Sequence, residues 1–306
     1  MALLAGTADG VYRTEGRDVA SASQVLDAGR VLRVRRFDDR DGVFAATKSG
    51  LYRSRDGGDS WADLGVPREE VYSVLGAAGR LYAGTHPAHL YVSADDGESW
   101  RELDAFQDLP SRDTWHTPRH RDEAHVRSLG AHPDAPDRVV AGVEVGGVHV
   151  SDDRGQTWEE RRNGVHDDVH HVLVTGPDRW VASCGGGLYE TGDGGETWTR
   201  LDADLDRTYF REAFAHDGVL YAAAARSSPG TWRGPSGANA ALYERRGGDL
   251  TQVDYPGAPE EVVLAWTVRD GRVVAATNDG SVVERGDDGW RELGRLPSAV
   301  GSLASV

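Results

Sequence analysis

The chain of 306 residues contains one cysteine, Cys184, one methionine, Met1, and one lysine, Lys48. A single thiol cannot close an intramolecular disulfide, so an extracellular cysteine-stapled framework is excluded and a reducing, cytoplasmic setting is expected. No apolar run reaches the roughly 18 residues that a membrane-spanning helix needs, and residues 1–10 lack both a basic flank and a long apolar stretch, so neither a membrane partner nor a secretory leader is expected. A basic surplus is missing too. The 50 acidic residues outnumber the 34 Lys and Arg, and the net charge of −16 disfavours a nucleic-acid backbone as partner. Hydrophobic residues at 39%, with 9 Trp and 10 Tyr, supply a packed core and exclude a disordered polymer.

Glycine is abundant, at 39 residues, which favours many tight turns and short strands over a helical bundle. A unit of small-residue strand, glycine turn and second strand recurs seven times: AGTADGVY (5–12), AATKSGLY (45–52), AGTHPAHLY (83–91), AGVEVGGVHV (141–150), ASCGGGLY (182–189), the pair at 222–243, and AATNDGSVV (275–283). The spacing is about 40 residues, with two insertions, one near 104–124 and one near 226–240. Four copies continue into Ser/Thr-x-Asp-x-Gly-x-Ser/Thr-Trp, at 54–61, 93–100, 151–158 and 191–198, and degenerate copies stand at 244–250 and 284–290. Such a turn needs a carboxylate for its unpaired N–H groups, a glycine where φ is positive and an aromatic to pin the hairpin. Asp56, Asp95, Asp153 and Asp193 fill the first role and Trp61, Trp100, Trp158 and Trp198 the last, a structural rather than catalytic assignment.

With these motifs the chain resembles the BNR/Asp-box β-propellers, a group that includes sialidase-like and photosystem-assembly-factor-like members. The resemblance implies an all-β, seven-bladed propeller of four-stranded antiparallel blades spanning residues 1–306 as one domain. Apolar segments at 71–77, 125–131, 170–176, 209–215 and 262–268 read as innermost strands. The chain opens on a second strand and ends on 299–306, which reads as an innermost strand, so this last segment is expected to complete the first blade and close the ring. A six-bladed ring with one copy as decoration is the alternative.

In related propellers the Asp-box turns lie on one face, while the second-to-third-strand loops and the entries to the inner strands lie on the other. That opposite face receives eight of the 11 histidines: His86, His89, His116, His120, His125, His166, His170 and His171. Glu144, Asp167, Asp168 and Cys184 fall in the same quadrant. The candidate catalytic residues are His125, Glu144, His170 and Tyr209; a divalent metal, Zn or Mn, would take His125, His170, His171 and Glu144. His86, Trp115, Arg127, Arg211, Arg226 and Trp232 are candidate ligand-binding residues, with Trp115 and Trp232 read as exposed rings for stacking on a sugar or flat organic molecule. A bound metal would draw three of these groups to about 2.0–2.2 Å from it. Without one, a His–carboxylate pair is expected at about 2.6–3.2 Å on the pocket floor. The structural alternative is that these histidines and tryptophans merely anchor loops, and Cys184 is a small buried residue before it is a nucleophile.

Three function classes remain open. A glycan-processing hydrolase is one, although the Arg-Ile-Pro signature of sialidases is absent and xyloglucanase-like proteins carry two propellers. A metal-dependent lyase or hydrolase, resembling streptogramin lyases in architecture, is the second. A non-catalytic protein-interaction or assembly platform is the third. The expectation is a monomer that binds a small-molecule or carbohydrate ligand in a histidine-rich pocket. The near-exclusive use of arginine, with the acidic surplus, also resembles proteins of salt-loving archaea, in which surface acidity serves solvation.

Overall fold

A computed structural model describes residues 1–117, 121–233 and 237–306. Seven four-stranded antiparallel sheets form a ring, a seven-bladed β-propeller, and among the described residues helical content is confined to three 3-10 turns at Asp104–Phe106, Arg112–Thr114 and Pro229–Thr231. Blade four shows the plan: inner strand His125–His132, then Ala135–Glu144, Gly147–Ser151 and the short outer strand Glu159–Glu160. Second strands are sequences of small and β-branched residues, such as VFAAT (Val43–Thr47) and WVASC (Trp180–Cys184), buried at every position because both faces meet a neighbouring blade. The core is therefore a series of inter-blade layers rather than one central mass.

Ring closure follows the expected route. Val300–Ser305 pairs antiparallel with Leu3–Thr7, from Leu3 opposite Ser305 to Thr7 opposite Val300, so the two chain ends share blade one. The six-bladed alternative is overturned, because both degenerate copies sit in complete four-stranded sheets, Ala241–Arg245 in blade six and Ser281–Gly286 in blade seven.

The four full motifs share one hydrogen-bond pattern. In blade four, Asp153 Oδ1 accepts from Ser151 Oγ at 2.8 Å and from the Thr157 N–H at 2.8 Å, while Ser151 Oγ accepts from the Gly155 N–H at 2.7 Å. Gly155 has φ of 90°, and a Cβ there would lie 2.6 Å from Leu103 of the preceding blade, so glycine is required by both conformation and space. Asp56, Asp95 and Asp193 repeat the arrangement.

One irregularity is common to all seven inner strands. Each carries a β-bulge at the same register, seen as shifts between Val31 and Arg33, Val71 and Ser73, Val126 and Ser128, Val169 and His171, Phe210 and Ala213, Val263 and Ala265, and across Gly6 and Thr7 opposite the closing strand. A bulge re-aims side chains. The residues at it, Leu32, Tyr72, Arg127, His170, Arg211, Leu264 and Gly301, form the layer at the head of the axial channel, and all but His170 line a common cavity there. One residue further on, Ser73 donates from Oγ to the Val126 carbonyl, and the hydroxyls of Ser128 and Ser302 accept from the N–H groups of Val172 and Val34, tying neighbouring inner strands together.

Candidate functional site

The inner strands begin at one mouth of the channel, and the direction of the chain puts the Asp-box turns at the other. At the inner-strand starts lies a cleft of about 900 Å³, lined among others by Arg30, Lys48, Tyr72, Arg127, Glu144, Asp168, Tyr209, Arg211 and Arg226. Its floor is a compact polar cluster. Glu144, at the end of its second strand, receives Arg127 and lies 3.3 Å from His125 Nε2 and 4.0 Å from His170 Nε2. Burial opposes ionisation of Glu144, but Arg127, helped by His125 and His170, more than offsets it and holds this carboxyl well below the usual range.

His170 is fully buried, and its Nδ1 bonds the Phe210 carbonyl. A carbonyl only accepts, so Nδ1 carries a proton and Nε2 is the ring nitrogen left to face the cleft. That Nε2 faces Asp168 Oδ1 at 3.4 Å, and neither atom has a hydrogen-bond partner among the described residues. Glu144, Asp168 and His170 offer ligand atoms that all lie within 4.8 Å of one another. The two His–carboxylate distances of 3.3 and 3.4 Å fall just beyond the window expected from sequence.

The histidines do not form a single group. His125 packs on Tyr72 with ring centroids 4.1 Å apart, and His86 lies behind it, its Nδ1 2.6 Å from Arg121 and 3.4 Å from Glu70. His89 pairs with Glu102, and His116 and His166 lie at the exposed periphery. His120 lies outside the described residues. His171 is a correction to the expected metal set: one position past the bulged residue, it turns to the far side of the channel, 3.9 Å from Glu212. There burial lowers its pKa to about 4, against the opposing pull of Glu212. It lines a cavity of about 550 Å³ at the opposite mouth.

Both candidate stacking tryptophans are corrected as well. Trp115 is 2% exposed, packed between Phe106 and His149 with its Nε1 donating to Ser111 Oγ at 2.9 Å. Trp232 is 5% exposed, donates to the Ser227 carbonyl at 2.7 Å and stands edge-on to Tyr209. Each pins its long loop to the blades through apolar contact, which outweighs the polarity of the flanking sequence. Cys184 is buried, and burial raises its pKa well above the ordinary thiol value, so it is a poor nucleophile.

Arg127, Tyr209, Arg211 and Arg226 do line the cleft, and Arg211 bonds Tyr209 Oη at 3.3 Å. The site residues that sequence reasoning left out are Arg30, Lys48 and Arg33. Arg33 crosses the axis to the carbonyls of Arg127, at 3.4 Å, and His170, at 3.3 Å. The available signal was the strand VLRVRR (Val31–Arg36), in which alternate arginines occupy the inner-strand position of the repeat.

A model of the BNR/Asp-box repeat matches residues 149–160. Among solved structures the chain is similar to the GH74 xyloglucanase from Xanthomonas campestris, with 17% identity over 86% of this chain and a TM-score of 0.62. It spans 45% of that protein's length. The fold is that of a BNR-type β-propeller. YCF48 from Cyanidioschyzon merolae has a TM-score of 0.60 at 15% identity, covering 89% of this chain and 86% of its own, and YCF48 bound to D1 peptide has 0.56 at 17%, covering 86% and 81%. No curated protein matches the sequence significantly. Identities this low carry the fold alone.

Proposed function

We propose that the cleft binds a small organic or carbohydrate ligand and that Asp168 and His170 exchange protons with it, in hydrolase- or lyase-type chemistry. The observation that carries this reading is the pair of buried polar atoms, His170 Nε2 and Asp168 Oδ1, facing each other at 3.4 Å on the floor of a cleft large enough for a drug-sized molecule. Two facing polar atoms with no other hydrogen-bond partner among the described residues can share one proton or hold a water or a cation, so the pair is placed to pass a proton to a ligand or take one from it. Arg127 keeps Glu144 ionised beside the pair, so the floor of the cleft carries a fixed negative group next to the two facing atoms.

The same atoms can hold Zn or Mn, with Glu144, Asp168 and His170 as ligands and His125 packed behind Glu144. Arg127 opposes this, because an ion on Glu144 must share the carboxylate with a guanidinium. The test is a thermal-shift screen of the full chain against glycans and small organic molecules, alongside elemental analysis. Saturable stabilisation by a compound class, lost in Asp168→Asn and His170→Gln variants that retain the parent melting temperature, supports the reading. Absence of any small-molecule response leaves the interaction-platform alternative.

A further inference from the structure

At the head of the axial channel, beside the floor of the cleft, lies a second, smaller cavity of about 90 Å³, and its wall is chemically one-sided. Four arginines line it, Arg30, Arg33, Arg127 and Arg211, together with Thr7 and Tyr72, and among the described residues no Asp or Glu does. Three of the four arginines, with Tyr72, also line the large cleft, so the two spaces share a wall. Four cations around one small space, in a chain whose net charge is −16, are not a product of composition.

Of these arginines only Arg127 is paired with a carboxylate among the described residues. Arg33 spends its bonds on the carbonyls of Leu32, Arg127 and His170. Arg127 is committed to Glu144 through one nitrogen, while its buried Nε has no hydrogen-bond partner among the described residues. Neither Arg30 nor Arg211 has a carboxylate within 4.0 Å among the described residues. Burial lowers the pKa of Arg33 to about 9, with Glu212 and Glu144 opposing the shift and Arg35 and Arg127 adding to it.

We propose that this cavity is an oxyanion subsite, and that the ligand of the cleft is a small organic anion whose carboxylate or phosphate group sits among Arg30, Arg33, Arg127 and Arg211. The space suits one such group, and guanidinium groups match both geometries through paired N–H donors. With its anionic end held there, the remainder of the molecule extends into the cleft toward Asp168 and His170. The substrate class thus assigned rests on the reading of the cleft as a ligand site.

The experiment titrates the full chain with inorganic phosphate, acetate and glucose at constant ionic strength, followed by calorimetry. The variants are Arg30→Gln and Arg211→Gln, whose side chains are not fully buried, and Arg226→Gln, which lines the cleft but not the small cavity. Saturable binding of phosphate or acetate is expected, weakened about tenfold or more by Arg30→Gln and Arg211→Gln and about threefold or less by Arg226→Gln. The preferred anion of the two identifies the group. Equal losses in all three variants indicate a diffuse potential and overturn the subsite, as does an absence of saturable binding by either anion. If glucose binds and the anions do not, the subsite fails while the cleft stands as a ligand site. Anion binding that survives in a protein whose Asp168→Asn variant behaves like the parent toward every screened compound leaves the subsite standing and removes the acid–base reading.

Discussion

His171 and His170 are adjacent in sequence and differ in fate, because the bulge turns one toward the cleft and the other toward the opposite mouth. The pKa of His171 falls to about 4 from an ordinary 6.5, since burial disfavours the imidazolium more than Glu212 favours it. Between those two values the unfolded chain binds a proton that the folded chain refuses, so stability rises with pH across this window and is lost as pH falls from about 6.5. His149 contributes with the same sign, its pKa lowered by burial to about 3. Replacing His171 with Gln should flatten the pH dependence of chemical denaturation between pH 6.5 and 4, recovering up to about 3 kcal/mol at the acid end. An unchanged slope would show that His171 titrates normally. Asp153 offers a second test at this scale. Asp153→Ala removes acceptors for Ser151 Oγ, the Thr157 N–H and Thr157 Oγ1, and should cost about 1–2 kcal/mol in urea denaturation while leaving ligand binding in the distant cleft unchanged.

The blade is the element from which the molecule is built, and its last strand is the most exposed to test. Val300–Ser305 pairs with Leu3–Thr7 and packs Val300 and Leu303 into the layer between blades seven and one. Removing residues 300–306 should open the ring, expose the edge of Leu3–Thr7 and lower the melting temperature by more than 10 °C, on the order of the loss of several buried apolar side chains. A truncated chain that melts with the parent would show that closure contributes little. Blade count, strand order and this closure were legible because small-residue strands and Asp-box turns recur in phase. The axial chemistry was less so. The inner strand Val31–Arg36 breaks the apolar pattern with Arg33 and Arg35, the very residues that fill the channel, so periodicity does not flag it. Histidine enrichment pointed to the quadrant in which His125, His170, Glu144 and Asp168 come together, yet a one-residue bulge decides which of two adjacent side chains reaches the floor. Trp115 and Trp232 looked exposed because their neighbours are polar, whereas their burial comes in part from side chains distant in sequence, His149 for Trp115 and Val262 for Trp232.

At the scale of the whole molecule two electrostatic features act in opposite directions. A net charge of −16 makes the compact state repel itself, while the head of the channel gathers Arg30, Lys48, Arg127, Arg211 and Arg226 around two carboxylates, Glu144 and Asp168. Salt screens both. The Debye length shortens from about 30 Å at 0.01 M to about 10 Å at 0.1 M, which removes long-range repulsion between surface carboxylates spread over the ring. Raising sodium chloride over this range should therefore increase the melting temperature and, in the same samples, weaken the binding of an anion such as inorganic phosphate and slow its association. Composition alone argues the reverse for the ligand, because a strongly acidic protein repels anions and screening would then improve their binding. Parallel salt series of melting temperature and phosphate affinity distinguish the two cases: opposite trends locate a local positive potential at the channel head, and parallel increases mean that the acidic surface governs the cleft as well.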